Sequence, residues 1–416
     1  MPKQNSSNTN FYFCKPIFGI FFCVAAVLFF YSCDGSDAVS IKNNPLQIKK
    51  DSVAPPPIQT VIYNSEKGKL LNTLFKNKVK TFGFNGCVLI AQKGQIIYKN
   101  VFGFSNLKTK DSLKINSAFQ LASTSKPFTA AAILLLSERA QLNLNDNIQK
   151  FFPGFPFGKI TIQMLLNHRS GLSNYVYFGE PFCDANNCYN GKIFDNSSVI
   201  SIMTNKKIQP YAPPNKKFGY CNTNYALLAS IIEKVSGLTY AEFMSENIFK
   251  PLKMNDTWVY NPINDSLCKN NTVGHNASGF IEMDKYADAV VGDKGIYSTV
   301  DDLFKWDEGL YSEVLLKKTS LEQSFKGYSN EHKGKRNYGY GWRLVDDGKG
   351  NKIVYHNGWW HGYSSLFFRR LSDHTTVIIL SNKFNPNIYH IDDILALLNN
   401  NNTSAKNSML LKSSKK

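Results

Sequence analysis

Arginine is scarce in this chain, and so are acidic residues. Of 416 residues, 48 are Lys or Arg and 31 are Asp or Glu, a formal charge of +17. Arginine occupies only positions 139, 169, 336, 343, 369 and 370. Such a charge makes nucleic acid the first partner to consider. Base readout and bidentate phosphate clamps favour arginine over lysine, however, and no zinc-finger, helix-turn-helix or RNA-binding signature accompanies the lysines. No nucleic-acid partner is therefore expected. The plain reading is a solvated, Lys-rich surface, and a milder functional one is attraction to anionic cell-envelope polymers.

Metal-ligating pairs are also missing. Cys183 and Cys188 flank the turn-prone Asp184-Ala185-Asn186-Asn187, but no second Cys or His pair stands at ligand spacing. No metal and no cofactor are expected. Cys87, Cys183, Cys188, Cys221 and Cys268 follow the N-terminal segment, an odd number that leaves at least one thiol free. A local Cys183–Cys188 disulfide would suit an oxidising compartment.

Only one long apolar run exists, over residues 17–31, preceded by Lys3 and Lys15. It is short for a bilayer span and suits a secretory core segment. It ends in Phe30-Tyr31-Ser32-Cys33. A small residue before Cys resembles a lipoprotein cleavage site, which makes Cys33 the expected lipidated N-terminus. Phe30 and Tyr31 depart from that pattern, so a plain signal peptide or an uncleaved anchor remain the alternatives. The expected product is exported to the cell envelope, on the periplasmic side or the outer membrane, and held to the membrane through its N-terminal lipid or anchor. Four regions follow: a targeting segment over 1–33, a polar tether over 34–65 carrying Pro55-Pro56-Pro57, a folded domain over 66–398, and an Asn-, Ser- and Lys-rich tail over 399–416.

Within the folded domain, strand signals lie at both ends. Residues 87–91 and 95–98 are short apolar runs around Lys93-Gly94, a hairpin pattern. Residues 338–344, 352–356, 363–368 and 375–380 read as four more strands. The middle is helical: 127–138, 225–235 and 240–249 carry helical spacing, and Thr299-x-x-Asp302 reads as a capping box. These signals predict an α+β fold. An antiparallel sheet is built from N- and C-terminal strands and flanked by helices, and a largely helical subdomain is inserted between them. A cleft between the two is the natural place for a site.

Three segments carry chemistry. In Ser123-Thr124-Ser125-Lys126-Pro127, Ser123 and Lys126 stand three apart and share a helix face, and Pro127 is tolerated in a first turn. A serine hydroxyl needs a base to become a nucleophile, and a desolvated Lys126 can serve as its proton partner. In Tyr220-Cys221-Asn222, the phenol of Tyr220 can act as the base beside Lys126, while Asn222 can bond Lys126 and a substrate carbonyl. In His356-Asn357-Gly358-Trp359-Trp360, Gly358 allows close approach of a ligand, and the N–H of Trp359 with that of Ser123 can form an oxyanion hole. Taken singly, each has a plainer reading: a helix cap, a core aromatic, a surface strand.

Taken together, the segments resemble the serine beta-lactamase and penicillin-binding superfamily, in the branch of class C beta-lactamases, D-alanyl-D-alanine carboxypeptidases, D-aminopeptidases and related esterases. The resemblance spans roughly residues 80–385. Other landmarks fall in the same order: Phe84-Asn85-Gly86-Cys87-Val88, Asn167-His168-Arg169-Ser170-Gly171-Leu172, Gly295-Ile296-Tyr297-Ser298-Thr299 and Tyr338-Gly339-Tyr340-Gly341-Trp342. It implies Ser123 as nucleophile, Lys126 as proton partner and Tyr220 as base. It also implies Asn222, His356, Gly358 and Trp359 around the substrate, with His168 and Asp302 structural. His-Asn-Gly replaces the Lys-Thr-Gly usual in lactamases. A neutral or half-charged His is a poorer partner for a substrate carboxylate than Lys. The expected enzyme is accordingly a serine hydrolase acting through an acyl-enzyme on a D-amino-acid peptide or ester, peptidoglycan-derived material included. A beta-lactamase and a non-turning-over penicillin-binding sensor are the alternatives.

Overall fold

A two-residue rhythm of side chains explains the sheet. The structure, a computed structural model, describes residues 61–186, 193–262, 271–282, 287–331, 334–346 and 350–399. Cys33, Cys188, Cys268, the targeting segment and the tail beyond 399 lie outside these residues, so the expectations placed on them do too.

The chain enters with β1 (Gly86–Gln92) and β2 (Gln95–Phe102), then the short β3 (Phe104–Asn106), β4 (Asp111–Ser112) and β5 (Phe119–Gln120). β6 (Trp258–Val259) and β7 (Ile296–Ser298) follow, and β8 (Arg336–Tyr338), β9 (Arg343–Asp346), β10 (Lys352–Trp360), β11 (Tyr363–Arg370) and β12 (Thr375–Ser381) close the fold. Seven of them form one antiparallel sheet in the order β2-β1-β12-β11-β10-β9-β8. N- and C-terminal strands thus meet at the β1–β12 pairing. The hairpin between β1 and β2 turns on Lys93 and Gly94, both at positive φ (56° and 71°), as a two-residue turn between twisted strands requires.

Both faces of this sheet are covered, which is why its strands read as unbroken apolar runs. On one face Val88, Ile90, Val377 and Ile379 pack with Leu71 and Phe75 of α1 (Glu66–Phe82) and with Ile394 and Leu398 of the C-terminal helix Asp392–Asn399. On the other face Cys87, Leu89, Ile378 and Leu380 join the larger core. That core is shared with α2 (Lys126–Glu138), α3 (Ile162–Leu166), α4 (Tyr175–Asn186), α5 (Asn196–Asn205), α6 (Asn222–Ser236), α7 (Tyr240–Met244), α8 (Val300–Tyr311) and α9 (Lys318–Ser324); the C-terminal helix is α10. Truncating a fully buried member such as Leu89 to Ala costs about 2–5 kcal/mol.

Three local expectations change. Residues 338–344 are not one strand: β8 and β9 are separated by a turn at Gly341, φ +78°. A side chain there would come within 2.9 Å of the Lys126 carbonyl oxygen, so the turn is pressed against the start of α2. The helix over 240–249 ends as an α-helix at Met244 and continues as a π-turn over Ser245–Phe249. Thr299 does cap α8, accepting from the Asp302 N–H. Asp302, however, spends its carboxylate on the Asp256 N–H (2.7 Å) and the Thr257 hydroxyl (2.8 Å), and on Lys305 (2.6 Å). Cys87 and Cys221 are free and buried. Cys183 is disulfide-bonded to a partner outside the described residues.

Candidate active site

The nucleophile candidate sits on a strained turn. Ala122 adopts φ +48°, a conformation L-residues pay for, and starts a 3-10 turn over Ala122–Ser125 that runs into α2. In a 3-10 turn residues three apart eclipse one another. Lys126 therefore comes back over Ser123, its Nζ donating to Ser123 Oγ at 3.0 Å. Lys126 is fully buried, and Ser123 is half-buried. The other two acceptors of Lys126 Nζ are Asn222 Oδ1 (2.9 Å) and the backbone carbonyl of Asp293 (2.9 Å). All three acceptors are neutral.

Tyr220 is delivered by two loops laid edge to edge. Gly219 N donates to the His168 carbonyl (2.9 Å), Asn215 N to the Arg169 carbonyl (2.7 Å) and Tyr211 N to the Gly171 carbonyl (3.0 Å). His168 itself is buried at φ +58°, and its Nδ1 accepts from Cys221 N at 3.3 Å. Burial first, then the charges of Lys126 and Arg343, hold this imidazole neutral by pushing its pKa well below the usual value. The His168 ring packs 4.4 Å from that of Tyr220, centroid to centroid. The result is a Tyr220 hydroxyl 2.9 Å from Ser123 Oγ. Cys221 takes the N-cap of α6 without a side-chain bond; burial raises its thiol to about 11, which leaves it inert.

β10 supplies the third wall. A side chain on Gly358 would lie 2.3 Å from the Leu121 carbonyl oxygen and 2.9 Å from Ser123 N, so only glycine lets the strand pass the nucleophile. The β10–β11 turn is His361-Gly362, both at positive φ (38° and 79°), and Trp360 pairs with Tyr363. Counting back from this turn, Trp359 falls on a non-hydrogen-bonded rung of the ladder, which aims its N–H at the open edge of β10.

The structure brings Ser123, Lys126, Tyr220, Asn222 and Gly358 together. His356 and Trp359 lie on the same strand as Gly358. His356 is fully buried: its Nδ1 donates to the Asn357 carbonyl (2.8 Å), which leaves Nε2 to accept from Tyr338 OH (3.2 Å). Burial, then Arg343 and Lys126, depress its pKa far below the ordinary histidine value. It is a neutral strut, the uncharged one of the two states expected of it. The Trp359 side chain is 56% exposed on the face opposite Gly358 and packs on Phe384, ring centroids 5.4 Å apart; only its backbone faces the nucleophile.

Two further cations border the site. Arg343 in β9 stacks 5.2 Å from the Tyr220 ring centroid, on the same ring that Lys126 approaches at 5.0 Å. It lines a pocket of about 370 Å³ with Lys217, Phe218, Arg336, Tyr338 and Tyr355. Lys294 lies buried beneath Trp360. Gly292-Asp293-Lys294-Gly295, two charges between two glycines ahead of a buried strand, was the available signal.

An antiparallel sheet joined to a helical subdomain, with a serine, a buried lysine and a tyrosine converging between them, defines a serine hydrolase of the lactamase and transpeptidase type. The chain belongs to the Beta-lactamase family, whose pattern it matches over residues 71–400. It is 37% identical to Penicillin-binding protein 4* of Bacillus subtilis (strain 168), over 76% of this chain and 72% of that one. It is 27% identical to the putative penicillin-binding protein PbpX of the same organism, over 83% of this chain and 81% of that one. Among solved structures it is similar to the octameric penicillin-binding protein homologue from Pyrococcus abyssi, with a TM-score of 0.70 and 27% identity over 80% of this chain and 78% of that one.

Proposed function

We propose that the protein is an exported acyl-enzyme hydrolase that cleaves amide or ester bonds of D-amino-acid peptides or esters in the cell envelope. One observation carries the reading: Ser123 Oγ stands 3.0 Å from Lys126 Nζ and 2.9 Å from Tyr220 OH, beside a strand that only glycine allows so close. In the proposed step the Ser123 proton passes to the Lys126–Tyr220 pair, with Tyr220 as the base. Oγ then bonds the acyl carbon. The oxyanion takes the N–H groups of Ser123 and Trp359, and Asn222 orients the substrate amide. A Tyr220 phenolate, the form able to take this proton, carries its negative charge beside Lys126 and Arg343 and is neutralised by the transfer. The scissile bond breaks as the proton returns to the leaving group. Water repeats the sequence on the acyl-enzyme and frees Ser123.

The neutrality of His356 argues for peptides and esters over lactams, since no fixed positive charge stands at that strand position to hold a lactam carboxylate. The penicillin-binding names of the relatives favour slow acylation by penicillins at Ser123. The membrane attachment proposed is a lipid on Cys33, with 34–65 as the tether; Cys33→Ala should release the protein from the membrane fraction.

The test compares kcat/KM for an activated ester, a D-Ala-D-Ala peptide and a chromogenic cephalosporin, in the parent and in Ser123→Ala. The ester or the peptide is expected to lead. A cephalosporin ahead by ~10²-fold, about 2.7 kcal/mol of transition-state binding, would make the protein a beta-lactamase. Stoichiometric labelling of Ser123 with no turnover of any of the three would make it a sensor.

A further inference from the structure

We propose that Lys294 is a positioning residue of this site: it keeps the Asp293 carboxylate for itself, so that only the neutral Asp293 carbonyl faces Lys126. The proposal rests on the reading of Ser123 as the acyl acceptor.

Asp293 presents two different acceptors to a buried region. Its backbone carbonyl accepts from Lys126 Nζ at 2.9 Å. Its carboxylate is attached to the same residue and is itself 2% exposed. A carboxylate paired with Lys126 would favour the ammonium form and hold the proton that the site must move. The structure diverts that carboxylate. Tyr175 OH donates to Asp293 Oδ2 at 3.0 Å, and Lys294 Nζ stands 3.6 Å from Oδ1, which has no hydrogen bond of its own. Lys294 is fixed in turn by donating to Tyr175 OH (2.6 Å) and to the Val290 carbonyl (2.8 Å).

The loop that carries both charges cannot swing away. Gly292 and Gly295 take φ of +99° and +93°. A side chain on Gly292 would lie 2.4 Å from the Tyr225 carbonyl oxygen of α6, and Thr129 of α2 donates to the Gly292 carbonyl at 2.6 Å. Among the described residues, four groups face Lys294. Asp293 and Tyr175 touch it, the Trp360 ring covers it at 4.9 Å, and Asp288 acts on it by charge while accepting from the Trp360 indole N–H, with His361 Nδ1 3.1 Å from the same oxygen. Lys126 acts on it as a like charge. Burial is the largest influence on Lys294 and lowers its pKa, with Asp293 and Asp288 pulling the other way. Lys294 and Asp293 thus form a nearly neutral pair beside Lys126, and removing either member unbalances what Lys126 feels.

The test is the pH profile of kcat/KM for p-nitrophenyl acetate in four proteins: the parent, K294M, D293N and K294M/D293N. K294M leaves an uncompensated carboxylate near Lys126, and the acid limb should move up by about one pH unit, with about a tenfold loss at pH 7. D293N leaves an uncompensated ammonium, and the limb should move down. The double variant should return close to the parent, and it is the variant best placed to fold, because neutral replacement of a buried pair is often tolerated. Limbs that coincide with the parent in all variants, whatever their melting temperatures, overturn the proposal. So do K294M and D293N limbs that move the same way. Ser123→Ala is run alongside: if it hydrolyses the ester as fast as the parent, the nucleophile reading fails instead.

Discussion

Lys99 and Lys126 are both fully buried in one core, yet they are held in opposite ways. Lys99, on β2, meets the carboxylate of Asp301 at the start of α8, at 2.9 Å. Further along the sheet, Arg369 of β11 meets Asp307 of α8 at 2.5 Å. In these pairs each charge cancels its neighbour, and the groups have no chemistry left to offer. Lys126 is given a hydroxyl, an amide oxygen and a backbone carbonyl. A cation held only by neutral acceptors is poorly compensated by its surroundings. The two arrangements separate charges that tie elements together from a charge that reacts. Burial alone does not tell them apart; the nature of the partner does.

Substitutions should split the two ends cleanly. The largest effect is expected at Ser123. Ser123→Ala should lower kcat/KM by ~10⁶, as loss of the nucleophile does in a well-studied serine protease, with little change in melting temperature. A residual rate within tenfold of the parent would place the nucleophile elsewhere. The lysines come next and should move opposite quantities. Lys126→Met should cut kcat/KM by about 10²–10⁴, the range for a group that moves a proton, and leave the free energy of unfolding unchanged or slightly raised, since an uncompensated buried cation is removed. Lys99→Met should strand Asp301 and cost about 3–5 kcal/mol of stability, while kcat/KM per folded molecule stays within about twofold. Urea unfolding and ester hydrolysis on the same samples measure both. Equal stability losses in the two variants would erase the contrast.

How much of this was legible depended on whether the signal was local. The Lys93-Gly94 turn, the Thr299 cap and the Ser123–Lys126 spacing each lie within a few residues, and all three are formed. Tyr220 and Asn222 were reachable because their order along the chain matches a known pattern. The acceptor that completes Lys126 was not, because a backbone carbonyl at Asp293 leaves no mark in residue type. The turn inside 338–344 was hidden for a similar reason: besides its positive φ, Gly341 is needed because Ala130 and the Lys126 carbonyl, far away in the chain, press against it. Which of its two expected states His356 takes was not legible, because Tyr338, which bonds its ring, lies 18 residues away in the chain. Strand alternation from Gly358 puts the Trp359 ring on the far face, which leaves the expectation for its backbone N–H as it stood.

The smallest effect sharpens the comparison from the structural end. His374, in the turn between β11 and β12, places Nε2 2.9 Å from Glu308 Oε1 and 3.6 Å from Asp307 Oδ2. Burial works against its charged form, but the hydrogen bonds and charges of Asp307 and Glu308 prevail and raise its pKa to about 9, from 6.5. A group raised on folding contributes stability that is fully present below its unfolded value and is lost as pH rises through its folded value. Melting temperature should therefore decline between about pH 6.5 and 9 through this site. Part of the ring is solvent-exposed, so the decline is modest, ~2 °C after screening. His374→Gln should flatten that slope and leave the pH profile of kcat/KM in place, because the group lies at the paired end of the sheet. Differential scanning calorimetry across that range, set beside ester hydrolysis, checks both halves. If His374→Gln keeps the parent slope, the pairing with Asp307 and Glu308 is not what couples this end to protons. If it shifts the activity profile instead, the two ends are not electrostatically separate, and the division between paired and unpaired charges fails at its weaker side.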